Sequence, residues 1–201
     1  MKYFFIYILA ICFGYLLGSI PFGYIIARKK LGIDIREHGS GNIGATNVWR
    51  VAGKKYGAIC FALDFLKGFV PVIILIYFYF ERAGIAAGAS AVIGHFFPVW
   101  IKGKGGKGIA TGAGIFSALA PIPFLFALLT FAVVGPLATR TISAGAITGA
   151  VVLAFMCWLS PSKDIAVVST ILAGMIIYKH RSNIKRLYDG TESKIWGGLE
   201  Q

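Results

Sequence analysis

A chain of 201 residues that is 57% hydrophobic and only 14% charged has more apolar surface than a water-soluble core of its size could hide. An ordinary soluble domain is therefore excluded, and lipid is the solvent for much of the chain. The net charge of +12 would suit nucleic acid. The basic residues, however, sit in short stretches between apolar runs, so anionic headgroups or a small anionic substrate fit better, and no nucleic-acid partner is expected.

In chain order, the first apolar run extends from Tyr3 to Ala27 before Arg28 stops it. At about 1.5 Å per residue that exceeds a hydrocarbon core of roughly 30 Å, so it reads as a spanning helix. It is too long for the h-region of a signal peptide and has only Lys2 before it. Further runs cover Gly57 to Phe80, Ala83 to Ile101, Ile109 to Leu119, Ile122 to Ala138, Ile142 to Leu159 and Ile165 to Tyr178, seven segments in all. In lipid only helices and closed barrels satisfy their own backbone, and no run alternates with period two. The expectation is an all-α integral membrane protein, a seven-transmembrane-helix bundle forming one domain over 1–201. Gly14 and Gly18, Gly84 and Gly88, Gly108 and Gly112, and Gly145 and Gly149 have the GxxxG spacing that lets helix backbones approach. Ile109 to Leu119 is the weak span, because as a helix it covers only about 16 Å, so it is either thin or re-entrant.

Charge orients the bundle. With the N-terminus outside and the C-terminus cytoplasmic, every Lys and Arg except Lys2, Arg82 and Lys163 falls inside. Trp49, Trp100 and Trp196 sit near inner boundaries as interfacial anchors, and Trp158 marks the opposite one. Asp64 and Lys67, three residues apart, read as a charge pair that shields itself from lipid, and His95 reads as a core residue. Cys12, Cys60 and Cys157 lie singly in apolar runs and read as small buried hydrophobes.

Three polar clusters lie on the expected inner face. Gly39 to Asn47, GSGNIGATN, combines glycines that can turn sharply with Ser40, Asn42, Thr46 and Asn47, and is followed by Arg50. The bland alternative is a flexible linker with a helix cap at Asn47. Lys102 to Gly108, KGKGGKG, interleaves three lysines with four glycines at the start of a helix, which suits a phosphate. It is not a Walker A loop, since Ile109 stands where Ser or Thr would be needed. Tyr178 to Asn183 places His180 and Asn183 three apart on one helical face, within reach of one ligand. Together these suit a small phosphate ester handled beside a membrane-held acyl group. The competing class is a transporter for a small organic phosphate, but no internal repeat or midspan charge pattern supports it.

The chain resembles the bacterial acyl-phosphate:glycerol-3-phosphate acyltransferases, the PlsY family. The resemblance runs from GSIPFGYIIA (18–27) through GSGNIGATN, LDFLKG and GHFFPVWIKGKGGKG to YKHRSNIKRLYDGTE near the end. It implies transfer of a fatty acyl group from acyl phosphate to the 1-hydroxyl of glycerol 3-phosphate, giving lysophosphatidic acid and phosphate, at the cytoplasmic side of a bacterial inner membrane. Carried over, it makes Ser40, Lys107, His180 and Asn183 the catalytic candidates. It also makes Arg50, Gly103, Lys104, Gly105, Gly106 and Gly108 substrate-binding candidates, to which the polar clusters themselves add Asn42, Thr46, Asn47 and Lys102, while by the resemblance Arg140 and Ser143 are expected to complete the site and Glu192 serves structure. The HxxxxD pair of other glycerolipid acyltransferases is absent, because Ile43, Trp100 and Lys185 follow the three histidines at that spacing. Either His180 or a substrate phosphate oxygen can then serve as base. No cofactor or metal is expected. Membrane lipids are the surroundings, and a monomer is expected.

Overall fold

The computed structural model describes residues 1–195, and over them the chain forms helices joined by turns, without strands. Trp196, expected as an interfacial anchor, lies outside the described residues. The chain divides into two compact units, Met1–Leu119 and Ala120–Gln201.

The first unit holds α1 (Lys2–Gly18), α2 (Phe22–Leu31), α3 (Ala45–Ala52), α4 (Lys54–Phe78), α5 (Glu81–Phe96) and α6 (Ile109–Leu119), with short 3-10 turns at Ile35–Glu37 and Val99–Ile101. The expected continuous first span is instead broken: α1 ends at Gly18 and α2 starts at Phe22, with Pro21, which has no N–H, at the start of α2. A break inside lipid would orphan backbone oxygens, and the Lys67 ammonium meets this need by donating to the Ile20 carbonyl at 2.9 Å. Helix α1 packs on α5 through small residues. A methyl at Gly14 would strike the Ala87 carbonyl, and one at Gly18 the Ala91 carbonyl. Helices α4 and α6 pack in the same way, Gly68 against the Thr111 carbonyl and Gly114 against that of Phe65. The GxxxG pattern thus has identifiable partners.

The second unit holds α7 (Pro121–Ala132), α8 (Ile142–Trp158), α9 (Lys163–Lys179) and α10 (Arg181–Tyr188). The expected run to Ala138 is not a plain α-helix throughout, because Val133–Thr139 widens into π-helical turns around Pro136. Thr139 stabilises that stretch by donating its hydroxyl to the Val134 carbonyl at 2.8 Å. Helix α8 packs on α7 with Gly145 against the Phe131 carbonyl.

Four stretches are long and apolar enough to cross a membrane: Tyr3–Leu31, Lys54–Phe78, Glu81–Ile101 and Pro121–Thr139. Ile109–Leu119 and Ile142–Trp158 are apolar but shorter. Large apolar side chains such as Phe61, Leu125, Leu129 and Phe155 are exposed on these helices, as lipid-facing residues are.

Candidate active site

In the first unit the segment between α2 and α3 is organised by one side chain. Asn47 is 1% exposed. Its amide donates to the carbonyls of His38 and Asn42, both at 2.9 Å, and of Ile35 at 3.3 Å, while its oxygen accepts the Ser40 N–H at 2.9 Å. The helix begins at Ala45, so Asn47 does not cap it but reaches back and closes the loop over its first turn. Asn42 closes the tip by accepting the Gly44 N–H at 2.8 Å, an Asx turn. Gly39 and Gly41 adopt φ of 60° and 70°, the left-handed region that favours glycine. This is a built loop, not a flexible linker. Ser40, Thr46 and Arg50 are exposed on it.

The entrance to the loop is pinned by Asp34, which accepts Arg36 Nε at 2.9 Å and pairs with Arg36 Nη2 at 2.5 Å. The side-chain hydrogen bond from Arg36 holds the Asp34 carboxyl down at about 2. Arg36 in turn lies over the Tyr24 ring, 5.0 Å from its centre.

The second loop, Lys102–Gly108, leaves α5 through the 3-10 turn. Lys102, Gly103 and Gly108 have positive φ. Three of its glycines also serve the protein's own packing, Gly108 by leaving room for the Phe96 ring. A methyl at Gly105 would strike the carbonyls of His95 and Phe96, and one at Gly106 would strike His95 Nε2. Lys102 and Lys104 are exposed and Lys107 is half-buried. Ile101, at the base of this loop, belongs to the buried cluster that includes Ile35 before the first loop and Ile43 within it, so one apolar core supports both.

Below the second loop lies a polar network that the sequence showed only as separate residues. Asp64 and Lys67, both buried on α4, pair at 2.7 Å. His95 Nδ1 lies 3.9 Å from Asp64 Oδ1 and shares a 3.2 Å hydrogen bond with the Thr111 hydroxyl of α6. The pair does shield itself from lipid as expected, but it sits well inside α4 and joins other helices. Asp64 and Lys67 gave an i,i+3 signal. Thr111 gave none, because its partner is 16 residues away.

In the second unit Glu192 is the hub. It accepts Asn183 Nδ2 at 2.6 Å, Ser143 Oγ at 2.7 Å and Arg186 Nε at 2.7 Å. Burial pushes this carboxyl up, but the hydrogen bonds from Ser143, Asn183 and Arg186 outweigh burial, and its pKa falls below the ordinary glutamate value. Ser143 and Asn183, expected in substrate-binding and catalytic roles, are thus brought together with Glu192. Arg186, absent from the expected site, completes the cluster. Arg140 stands apart with an exposed side chain and φ of 57°, and its carbonyl accepts the Ile195 N–H at 2.8 Å. His180 sits between α9 and α10 and is 3% exposed. Its Nδ1 lies 2.8 Å from the Ile176 carbonyl, which can only accept, so Nδ1 carries the proton and the basic lone pair of the neutral ring falls on Nε2.

The sequence profile of the family described as glycerol-3-phosphate acyltransferase matches residues 8–190. The chain belongs to the glycerol-3-phosphate acyltransferase family. Glycerol-3-phosphate acyltransferase of Desulforamulus reducens is 45% identical over 183 residues, 90% of this chain and 91% of that protein. The enzyme of Brucella anthropi is 46% identical over 187 residues, 92% of each chain. Among solved structures, PlsY, an integral membrane glycerol 3-phosphate acyltransferase, superposes in its glycerol 3-phosphate form with a TM-score of 0.90 at 40% identity, covering 96% of this chain and 97% of that one. Its lysophosphatidic acid form gives 0.86 at 38% identity over the same shares. This chain is therefore an acyltransferase with the all-helical membrane fold of these relatives, and the transporter reading has no support among them.

Proposed function

We propose that this acyltransferase moves a fatty acyl group from acyl phosphate to the 1-hydroxyl of sn-glycerol 3-phosphate, giving lysophosphatidic acid and inorganic phosphate, as the first acylation in phospholipid synthesis. The observation that carries this is the pair of related PlsY structures, one in a glycerol 3-phosphate form and one in a lysophosphatidic acid form, which are an acceptor and a product of one acyl transfer. The glycine- and lysine-rich loop and the preformed Asn47 loop supply the chemistry such an acceptor needs.

In the transfer, the glycerol hydroxyl oxygen bonds to the acyl carbonyl carbon, the carbon–oxygen bond to phosphate breaks, and the hydroxyl proton goes to a base. From the first unit, Lys107, Lys102, Lys104 and the amides of Gly105 and Gly108 hold phosphate charge together with Arg50, the amides of Gly103, Lys104 and Gly106 being already bonded to the Pro98, Ile101 and His95 carbonyls, and Ser40, Asn42, Thr46 and Asn47 shape the adjoining loop. Orientation of this kind can contribute several kcal/mol, on the order of 7–11 in favourable cases. From the second unit, His180 presents a basic Nε2, and Asn183, Ser143 and Arg140 belong to the same functional set, with Glu192 holding Asn183 and Ser143 in place. A substrate phosphate oxygen can take the proton instead. Phosphate is a good leaving group, and the reaction as written uses neither cofactor nor metal.

We place the enzyme in a bacterial inner membrane as one seven-helix domain and as a monomer, with the N-terminus outside and the catalytic residues on the cytoplasmic side. The distribution of Lys and Arg supports that orientation.

The deciding experiment supplies purified protein with palmitoyl phosphate, with and without glycerol 3-phosphate, and with palmitoyl-CoA as the control donor, and measures phosphate release. Release is expected only when palmitoyl phosphate and glycerol 3-phosphate are both present. Transfer from the CoA donor would overturn the donor assignment. Replacement of His180 by Ala separates the two bases: a loss of roughly a hundredfold or more with an altered pH profile supports His180. A small loss with an unchanged profile supports the phosphate.

A further inference from the structure

We infer that His95 is a positioning residue for the acyl transfer, a buried spacer that sets the glycine-rich loop at the height from which its amides and Lys107 meet phosphate. The inference rests on reading Lys102–Gly108 as the phosphate-binding loop.

His95 stands in the last turn of α5 and is 3% exposed. It touches the loop twice. Its carbonyl accepts the Gly106 N–H at 3.1 Å, and the Nε2 edge of its ring lies so close to the Gly106 Cα that a methyl group there would overlap it. The opposite side of the ring is fixed from below. Nδ1 shares the 3.2 Å hydrogen bond with Thr111, in the first turn of α6, and lies 3.9 Å from Asp64. Asp64 is held by Lys67 at 2.7 Å, and Lys67 by the Ile20 carbonyl at 2.9 Å.

One polar chain therefore runs from the break after α1, through α4 and α5, to α6, and His95 is the link that carries it to the loop. The loop has no room to sink, because Gly105 already abuts the carbonyls of His95 and Phe96. The orientation of the ring thereby fixes the backbone on which the phosphate contacts are built. Displacements of about 1 Å in such supports are costly, on the order of a hundredfold in rate.

Thr111→Val is isosteric and removes only the hydroxyl that steadies the ring. It is expected to raise the KM for glycerol 3-phosphate by about tenfold, while the KM for acyl phosphate stays within about twofold. Thr111→Ser, which keeps the hydroxyl, should restore the wild-type KM. An unchanged KM for glycerol 3-phosphate in Thr111→Val, or a loss shared equally by both substrates and kcat, overturns the inference. Lys107→Ala is measured alongside. If it raises that KM and Thr111→Val does not, only the positioning role falls, and if neither moves it, the loop reading falls as well. A second pair guards against a variant that fails to fold. Gly106→Ala should raise the KM because its methyl meets the ring, and adding His95→Asn should recover part of the loss by making room. Purely additive costs would sink the inference.

Discussion

At the scale of single residues, two side chains outweigh their neighbours because each satisfies several backbone or side-chain groups at once. Asn47 serves three carbonyls and one N–H from a buried position. Asn47→Asp keeps the shape but turns a donor into a carboxylate facing carbonyls. It should cost about 2–4 kcal/mol and open the loop to proteolysis between residues 36 and 44, with the helix content of the protein retained. Limited digestion and circular dichroism check this. Glu192 makes a pH-dependent contribution. Its folded pKa lies below its unfolded one, so the stability it adds is complete above about pH 4.5, the ordinary glutamate value, and is lost as pH falls through the folded pKa. Thermal unfolding in detergent should show Glu192→Gln less stable than wild type by about 2–3 kcal/mol at pH 7. The difference should shrink on acidification. A difference independent of pH would detach the carboxylate charge from the cluster. Both residues lay within motifs read from the sequence, so their importance was legible. The resemblance also gave Glu192 a structural role, but the partners were not legible, because a hydrogen-bond partner seven or 49 residues away, Ser40 for Asn47 and Ser143 for Glu192, leaves no local mark.

At the scale of elements, most helix positions follow from apolar length, and α6 matches the expected Ile109 to Leu119 run end to end. The break between α1 and α2 was missed because the sequence there stays apolar through Ile20 and Pro21. What permits the break is a lysine on another helix, which the chain order hides. That lysine also neutralises Asp64, so it has two tasks inside lipid. Lys67→Met should leave a buried carboxylate unpaired and the Ile20 carbonyl with only the Phe22 N–H as donor, costing about 3–5 kcal/mol. Adding Asp64→Asn removes the stranded charge and should recover part of that loss, leaving the cost of the lost lysine hydrogen bond to the Ile20 carbonyl. Melting temperatures of the two variants in detergent test this. Equal destabilisation by the single and double variants would mean that the carboxylate is not the source of the cost. Close helix packing gives a further expectation at this scale. Gly114→Leu would drive a side chain into the Phe65 carbonyl and should abolish accumulation of folded protein.

At the scale of the whole molecule, what remains to be fixed is which ends face which side of the membrane. The helices themselves do not decide it: four stretches are long enough to cross, and two apolar helices are shorter. Charge does bear on it. If all seven segments cross, Lys55 and Lys185 lie inside and Lys163 outside. Helix α9 carries Asp164 in its first turn and Lys179 in its last, each complementing the helix dipole whichever way the helix crosses. The end that charge would place outside also carries Trp158, whose ring lies 5.8 Å from the Lys163 ammonium, a pairing suited to a membrane boundary. Single cysteines at 55, 163 and 185, in a protein whose Cys12, Cys60 and Cys157 are replaced by Ala, should therefore react differently with an impermeant maleimide. In intact right-side-out vesicles only position 163 should be labelled, and positions 55 and 185 only after permeabilisation. Labelling of 163 and 185 from one side would remove α9 as a span. The reversed pattern at all three positions would invert the protein and place the loop proposed to bind phosphate on the side away from the cytoplasm.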